Sequence, residues 1–139
     1  MPKLSSVLLV DDDPTNNFLN ERLLKRLDVA ERILVAENGQ QALAVLQQSG
    51  SGPQPNYPAL ILLDIQMPVM NGIEFLQAFQ QLPPVQRHAT TVVVLTTSMD
   101  ARDLTRLDEL PAAGRLNKPL TQEKLDTALR LHFQRQRPC

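Results

Sequence analysis

The sequence contains a single cysteine, no excess of basic charge and no long apolar segment. The one cysteine is Cys139, the last of 139 residues, which excludes an internal disulfide and fits a reducing compartment. The two histidines, His88 and His132, share no metal-ligand spacing with each other or with the cysteine, so zinc is not supported. A formal net charge of −1 offers no basic field for a nucleic acid or a membrane surface. No apolar run is long enough to span a bilayer, and no signal peptide is present, so we expect a cytoplasmic protein.

The length suits one domain, predicted over residues 1–139 with a short flexible tail at about 134–139. Three short apolar runs do not alternate with polar residues, and such runs are typical of strands buried on both faces of a parallel sheet. They lie at 7–10, 59–63 and 92–95. Weaker strands are predicted at 32–36 and 114–117.

Apolar residues at helical spacing predict five helices, one after each strand. The residues that mark them are Leu19, Leu23 and Leu27; Ala42, Val45 and Leu46; Ile73, Leu76 and Phe79 or Phe75; Leu104, Leu107 and Leu110; and Leu125, Leu129 and His132. Pro14 suits the first position of the first helix with Asp13 as its cap, and Asp100 is expected to cap the fourth. A β-α unit repeated five times predicts an α/β fold: a doubly wound, five-stranded parallel sheet with helices on both faces.

Polar side chains follow four of the predicted strands. They are Asp11, Asp12 and Asp13 after the first strand, Asp64 after the third, Thr96, Thr97 and Ser98 after the fourth, and Lys118 after the fifth. Because open α/β sheets bind ligands beyond the carboxyl ends of their strands, we expect these groups to converge on one rim. Each has an ordinary explanation as a cap, turn or loop residue, and for Asp13 the cap is favoured. Those separate explanations do not account for complementary groups on four strand ends.

The charges at this rim favour a divalent cation. Asp11, Asp12 and Asp64 contribute −3 and Lys118 contributes +1, which leaves −2. Adjacent carboxylates repel each other unless a positive charge lies among them. Oxygen ligands in a shell that retains several waters suit Mg²⁺.

Four segments resemble, in order and spacing, the receiver domain of two-component response regulators, a CheY-like superfamily with a flavodoxin-like fold. They are LLVDDDP at 8–14, LILLDIQMPVMNG at 60–72, VVVLTTS at 92–98 and LNKPL at 116–120. The resemblance implies that Asp64 is the phosphoacceptor and receives a phosphoryl group from a sensor histidine kinase or a histidine phosphotransfer protein. It implies that Asp12 and Asp64 bind Mg²⁺ directly, Asp11 mainly through water, and the backbone carbonyl of Gln66 as a further ligand.

The resemblance also implies roles for residues after the fourth and fifth strands. Thr96 hydrogen-bonds a phosphoryl oxygen and switches position, and Lys118 pairs with another phosphoryl oxygen. The peptide bond from Lys118 to Pro119 is implied to be cis, which aims the lysine inward. An ionised aspartate is already a nucleophile, so positioning and positive charge supply most of the catalysis. The chain is therefore expected to catalyse only its own phosphorylation and dephosphorylation. Gly72 is expected in a turn that needs an unrestricted backbone.

Arg115 departs from the family pattern, which commonly has an aromatic residue three positions before the lysine. An arginine does not bury without a partner, so the usual aromatic switch is not expected. We expect Arg115 to stay on the surface formed by the fourth helix, fifth strand and fifth helix and to contact a downstream protein there. Pairing of two copies through the fourth and fifth helices is a further expectation.

A phosphatase of the haloacid dehalogenase type is the main alternative, because DDDPT also satisfies D-x-D-x-T. Asp11 is the nucleophile in that alternative and Asp13 the acid/base. That family needs an acidic metal-binding pair after the lysine, and here only Glu123 and Asp126 follow, within a predicted helix. The alternative also leaves Asp64 without a role. A stand-alone receiver that signals by partner binding or onward transfer is therefore preferred, and its complete acidic site argues against a degenerate receiver.

Overall fold

The computed structural model describes residues 3–49, 57–65, 67, 69–96, 105, 110, 112 and 114–133. The elements in chain order are β1 (Leu4–Val10), α1 (Pro14–Leu27), β2 (Ala30–Ala36), α2 (Gly39–Ser49), β3 (Leu60–Asp64), α3 (Gly72–Phe79), α4 (Pro84–Ala89), β4 (Thr91–Thr96), β5 (Gly114–Asn117) and α5 (Gln122–His132). All five predicted strands are confirmed. Most of the predicted helix around Leu104 and Leu107, with its cap Asp100, lies outside the described residues; Thr105 is helical and Leu110 is not.

The strands form one parallel sheet in the order β2-β1-β3-β4-β5. The strand order switches between β1 and β3: β2 lies on one side of β1, and β3, β4 and β5 lie on the other. The parallel register of β1 and β3 pairs Val10 with Leu63. Asp64 then pairs with Leu95, and Thr96 pairs with Asn117. This register brings the carboxyl ends of the four strands β1, β3, β4 and β5 to the same edge, which is where doubly wound sheets bind their ligands.

Two hydrophobic clusters cover the two faces of the sheet, as the unbroken apolar strands predict. Because side chains alternate along a strand, Leu8 and Val10 face one cluster, and Val7 and Leu9 face the other. The first cluster contains buried residues of α2 and α3, and the second contains buried residues of α1 and α5. The sheet is therefore doubly wound, with helices on both faces.

The face that α1 presents to the sheet differs from the prediction. Leu19 is 53% exposed, whereas Leu24 and the polar Asn17 are buried. Asn17 is drawn inward because its Nδ2 donates a hydrogen bond of 2.8 Å to the backbone carbonyl of Asp11. Of the three leucines that predicted this helix, Leu27 packs against the second cluster and Leu23 is half-buried, so the prediction was wrong for Leu19 only. Its start is confirmed, since the Asp13 carboxylate accepts the N–H of Thr15 at 2.9 Å.

The described helices are short, from six residues in α4 to 14 in α1. None of them combines the length and the hydropathy needed to cross a bilayer. The helix α4 was not predicted, because six residues are too few to establish a helical period. Its buried Gln86 donates to the carbonyl of Leu46 near the end of α2, at 3.2 Å.

The loop from β3 to α3 is fixed by close backbone contacts. The N–H of Gly72 donates to the carbonyl of Ile65, and the N–H of Gly39 donates to the carbonyl of Met70, each at 2.9 Å. Between these anchors Val69 adopts a left-handed φ of 68°, which costs a β-branched residue about 1–2 kcal/mol. A Cβ on Gly72 would lie 2.5 Å from the carbonyl oxygen of Asp64, so glycine is needed there for space.

Candidate functional site

Three carboxylates converge at the carboxyl ends of β1 and β3. One carboxylate oxygen from each of Asp11, Asp12 and Asp64 lies within 4.8 Å of the others. Asp11 and Asp64 are buried, at 3% and 8% exposure, and Asp12 is exposed. Parallel pairing of the two strands places the residues that follow them side by side, as the sequence predicts. The donor set consists of oxygen atoms, which fits a hard divalent cation such as Mg²⁺.

Lys118 reaches this cluster from the end of β5. Its Nζ lies 2.9 Å from Asp11 Oδ2 and 3.3 Å from Asp64 Oδ1. Its backbone N–H donates to the carbonyl of Thr96 at 2.6 Å, which extends the pairing of β4 and β5 by one step. The Lys118–Pro119 peptide bond is cis, as the family resemblance implies. The ammonium therefore bridges carboxylates from two other strands.

The ammonium of Lys118 is charged at neutral pH. Burial by itself would lower the pKa of this lysine, but the hydrogen bond and charge of Asp11, together with those of Asp64, outweigh burial and raise the pKa above its ordinary 10.5. The cluster thus holds a fixed positive charge beside Asp64. A phosphoryl group attached to Asp64 would carry its new negative charge next to this ammonium.

Asp11 is oriented by contacts that the sequence analysis missed. Its Oδ1 accepts the N–H of Asp13 at 2.9 Å, and its Oδ2 lies 3.4 Å from Nδ2 of Asn16. Its backbone carbonyl accepts the amide of Asn17, and its N–H donates to the carbonyl of Ala36 at 3.1 Å. Adjacent asparagines near the start of a helix were the available signal, because short amide side chains commonly bond nearby backbone groups.

Thr96 and Arg115 lie where the strand predictions put them. Thr96 is the last residue of β4 and is nearly buried, at 9% exposure. Arg115 lies in β5 and is exposed, which agrees with the expectation that it stays on the surface. Gln66, the predicted carbonyl ligand, lies outside the described residues.

A groove gives solvent access to the rim between α1 and the segment after β5. Its volume is about 390 Å³. It is lined by Asn16, Leu19, Asn20, Leu95, Lys118, Pro119 and Leu120. Two of the lining residues, Asn16 and Lys118, contact Asp11, so the groove runs beside the acidic cluster.

The geometry does not favour the phosphatase alternative. Asp13 Oδ1 accepts the backbone N–H of Thr15 as the cap of α1, so a structural role accounts for this carboxylate. Glu123 and Asp126 are exposed on α5. Asp64, which has no role in that alternative, lies within the acidic cluster beside Lys118.

Comparisons with known proteins agree with this site. The family model described as the response regulator receiver domain matches residues 7–130. The chain is 36% identical over 104 residues to response regulator Rcp1 of Synechocystis, covering 75% of this chain and 69% of that protein. It is 33% identical over 127 residues to a probable chemotaxis protein CheY of Rhizobium etli, covering 91% of each. The crystal structure of a response regulator from Cytophaga hutchinsonii superimposes with a TM-score of 0.82 at 30% identity, covering 94% of this chain and 97% of that one. The chain therefore belongs to the response regulator receiver domains, the phosphoacceptor modules of two-component signal transduction.

Proposed function

We propose that Asp64 is the phosphoacceptor of this receiver and that Lys118 and Thr96 stabilise the transferred group. The observation that carries the proposal is that Asp64 belongs to the acidic cluster and that its Oδ1 lies 3.3 Å from the ammonium of Lys118. Asp64 retains 8% exposure, so its carboxylate is held by the fold and still faces the rim. Among the clustered aspartates it is the one that ends a central strand, β3.

The proposed reaction is a phosphoryl transfer from a phosphohistidine to the carboxylate. A carboxylate oxygen of Asp64 attacks phosphorus, the P–N bond breaks, and its electron pair returns to the imidazole. Negative charge spreads over the equatorial oxygens in the transition state, where positive charge stabilises it. Lys118 supplies one such charge, and the hydroxyl of Thr96 donates to a phosphoryl oxygen. A sensor histidine kinase or a histidine phosphotransfer protein is the proposed donor.

Asp11, Asp12 and Asp64 are proposed to hold Mg²⁺, with the carbonyl of Gln66 as a further ligand. The separation of at most 4.8 Å between their oxygens suits a shared hard cation. The ion supplies charge neutralisation for the phosphoryl oxygens. Asp11 is already hydrogen-bonded to Lys118 and Asp13, so we assign it mainly a role through water, and Asp12, which is exposed, a direct one.

Incubation of the chain with acetyl phosphate and Mg²⁺ tests this assignment. The expected product carries one phosphoryl group per chain, detected by intact mass, and borohydride trapping followed by peptide mapping is expected to locate it at Asp64. Asp64→Asn is expected to abolish labelling because the amide is not a nucleophile. EDTA is expected to lower wild-type labelling by at least about 100-fold through loss of the metal's charge.

Asp28→Asn is a matched control, since Asp28 is an exposed carboxylate that pairs with Lys3 and does not belong to the acidic cluster. It is expected to label at the wild-type rate. Label on Asp11 with sustained hydrolysis of phosphomonoesters would instead establish the phosphatase alternative. Label that persists in Asp64→Asn at the wild-type rate would contradict the proposal.

Arg115 is proposed to contact the downstream protein, because it is exposed on β5, the strand that leads to Lys118. Arg115→Ala is expected to leave labelling by acetyl phosphate within about twofold of the wild type, since Arg115 is exposed on β5 and lies three residues before Lys118. Binding of the phosphorylated chain to its target, measured by titration calorimetry, is expected to weaken. Loss of labelling in Arg115→Ala would refute this role.

The proposed function also concerns domain organisation, compartment and oligomeric state. A single receiver over residues 1–139 acts by partner binding or onward transfer, and the proposed compartment is the cytoplasm. Two copies are proposed to pair through α5 and the helix predicted from Leu104, Leu107 and Leu110, which is not α4. Phosphorylation adds charge and acceptor oxygens at the rim, and Thr96 with its loop reorganises around them.

A further inference from the structure

The side chain of Lys124 bonds the backbone on both sides of Lys118. Its Nζ donates to the carbonyl of Asn117 at 2.9 Å and to the carbonyl of Pro119 at 3.1 Å. These are the residues immediately before and after Lys118. One ammonium on α5 therefore joins both ends of the short segment that carries the lysine of the site.

The position of Lys124 in α5 is unusual for a lysine. It is the third residue of α5, and its backbone N–H donates to the hydroxyl of the cap Thr121. A cation in the first turn of a helix opposes the helix dipole, so this position ordinarily favours acidic residues. Here the two carbonyl oxygens of Asn117 and Pro119 supply the negative partial charge that the helix start does not.

The position of the Lys118 ammonium depends on the backbone on either side of this residue. Its Nζ contacts carboxylates from two different strands, at 2.9 Å to Asp11 and 3.3 Å to Asp64. Its own N–H bonds the carbonyl of Thr96, so the backbone before it is anchored to β4. After Lys118 the chain leaves the sheet, and the bond from Lys124 to Pro119 ties that departing segment to α5. Small shifts of a charged group away from its working position reduce electrostatic catalysis strongly.

We propose that Lys124 is a positioning residue for phosphoryl transfer, which acts by holding the backbone on either side of Lys118. This inference rests on the proposed function of Asp64 and Lys118. It adds a link between the site and α5, because Lys124 belongs to α5 and bonds the residues on either side of Lys118. Lys124 itself does not contact the carboxylates.

The test compares initial rates of labelling by acetyl phosphate with Mg²⁺ in four chains. Lys124→Met is expected to slow labelling about three- to tenfold through a loosened Lys118 segment, and Lys124→Arg, which keeps the donors, to recover most of the rate. Arg130→Met is the matched control, an exposed basic residue in the last turn of the same helix, and is expected to label at the wild-type rate. Far-UV circular dichroism and urea unfolding verify that each chain is folded.

A second comparison separates positioning from a general structural effect. In a Lys118→Met background, Lys124→Met is expected to change the rate by less than about twofold, because the ammonium that Lys124 is proposed to position is absent. Hydrogen exchange of the Lys118 backbone amide, measured by NMR, is expected to be faster in Lys124→Met than in the wild type. If the Lys118→Met chains label too slowly to be compared, this exchange rate decides whether Lys124 positions Lys118.

The outcomes distinguish failure of the Lys124 role from failure of the proposed function of Asp64. A wild-type rate in Lys124→Met, an equal loss in both backgrounds, or unchanged exchange of the Lys118 amide would overturn the inference about Lys124 while leaving Asp64 as the phosphoacceptor. Absence of label on wild-type Asp64 would overturn the proposed function, and this inference with it. Slowed labelling with recovery by arginine and no loss in the Lys118→Met background supports it.

Discussion

Replacing Lys118 with methionine is expected to lower the free energy of unfolding by about 2–4 kcal/mol in the absence of divalent cations, because removal of one partner leaves buried charges uncompensated. The ammonium is 2.9 Å from Asp11 and 3.3 Å from Asp64, whose side chains are only 5% and 11% exposed. Without it, two carboxylates face each other in a site of low dielectric. Magnesium is expected to restore most of the lost stability, since it binds the folded cluster and neutralises the same oxygens.

The measurement is urea unfolding followed by circular dichroism, with EDTA and with saturating Mg²⁺. Lys3→Met is the matched control: its ammonium pairs with Asp28 at 2.9 Å, but the two side chains are 44% and 68% exposed, so the expected loss is below about 1 kcal/mol. Equal losses in the two variants, or no response to Mg²⁺ in Lys118→Met, would contradict the electrostatic account.

The effect of Lys118 also has an expected pH dependence. Its pKa is raised in the folded state, so its stabilising contribution is fully present below the ordinary value of 10.5 and is lost as the pH rises through the raised pKa. The difference in stability between the wild type and Lys118→Met is therefore expected to persist from neutral pH to that range and to diminish above it.

Gly72→Ala is expected to destabilise the chain by about 2–3 kcal/mol, because the added methyl group overpacks a site bounded by backbone. Its Cβ would lie 2.5 Å from the carbonyl oxygen of Asp64 and 2.8 Å from the Cα of Ile65. Neither atom belongs to a side chain that can rotate away. The backbone of Asp64 must move instead, so labelling of its carboxylate is expected to slow as well.

Gly114→Ala provides the comparison for this variant. The nearest atom to its added Cβ is Nε2 of His132, at 3.0 Å, and that ring is the end of a side chain that can shift. The expected loss is below about 1 kcal/mol, with labelling unchanged. Urea unfolding and acetyl phosphate labelling of both variants test the contrast, and equal losses at the two glycines would show that the contact with Asp64 is not the cause.

Much of the site could be predicted because its residues lie where strands end. A β-α repeat brings the carboxyl ends of parallel strands to one rim, so the positions of Asp11, Asp64, Thr96 and Lys118 along the chain already imply that they meet. The cap formed by Asp13 could be predicted for a simpler reason: it depends on contacts with a residue two positions away.

The rotation of α1 could not be predicted in the same way. The leucine spacing favoured a face containing Leu19, but the amide of Asn17 bonds the carbonyl of Asp11 and Leu24 enters the core. The reason that position 72 needs glycine also depends on contacts outside α3, which begins there, since the limit is set by the end of β3. Lys124 shows no motif, because its partners are backbone carbonyls that any residue types would offer.

The sequence by itself determined the parallel sheet, the buried strands and the set of groups at their ends, because hydrophobic periodicity and chain order act locally and repeat along the chain. The tertiary structure decided which atoms bond, as in the contact of Lys118 with Asp11 across 107 residues and the bracing of its backbone by Lys124. Such bonds depend on sub-ångström placement of elements that are distant in the chain, and that placement follows from packing of the whole domain.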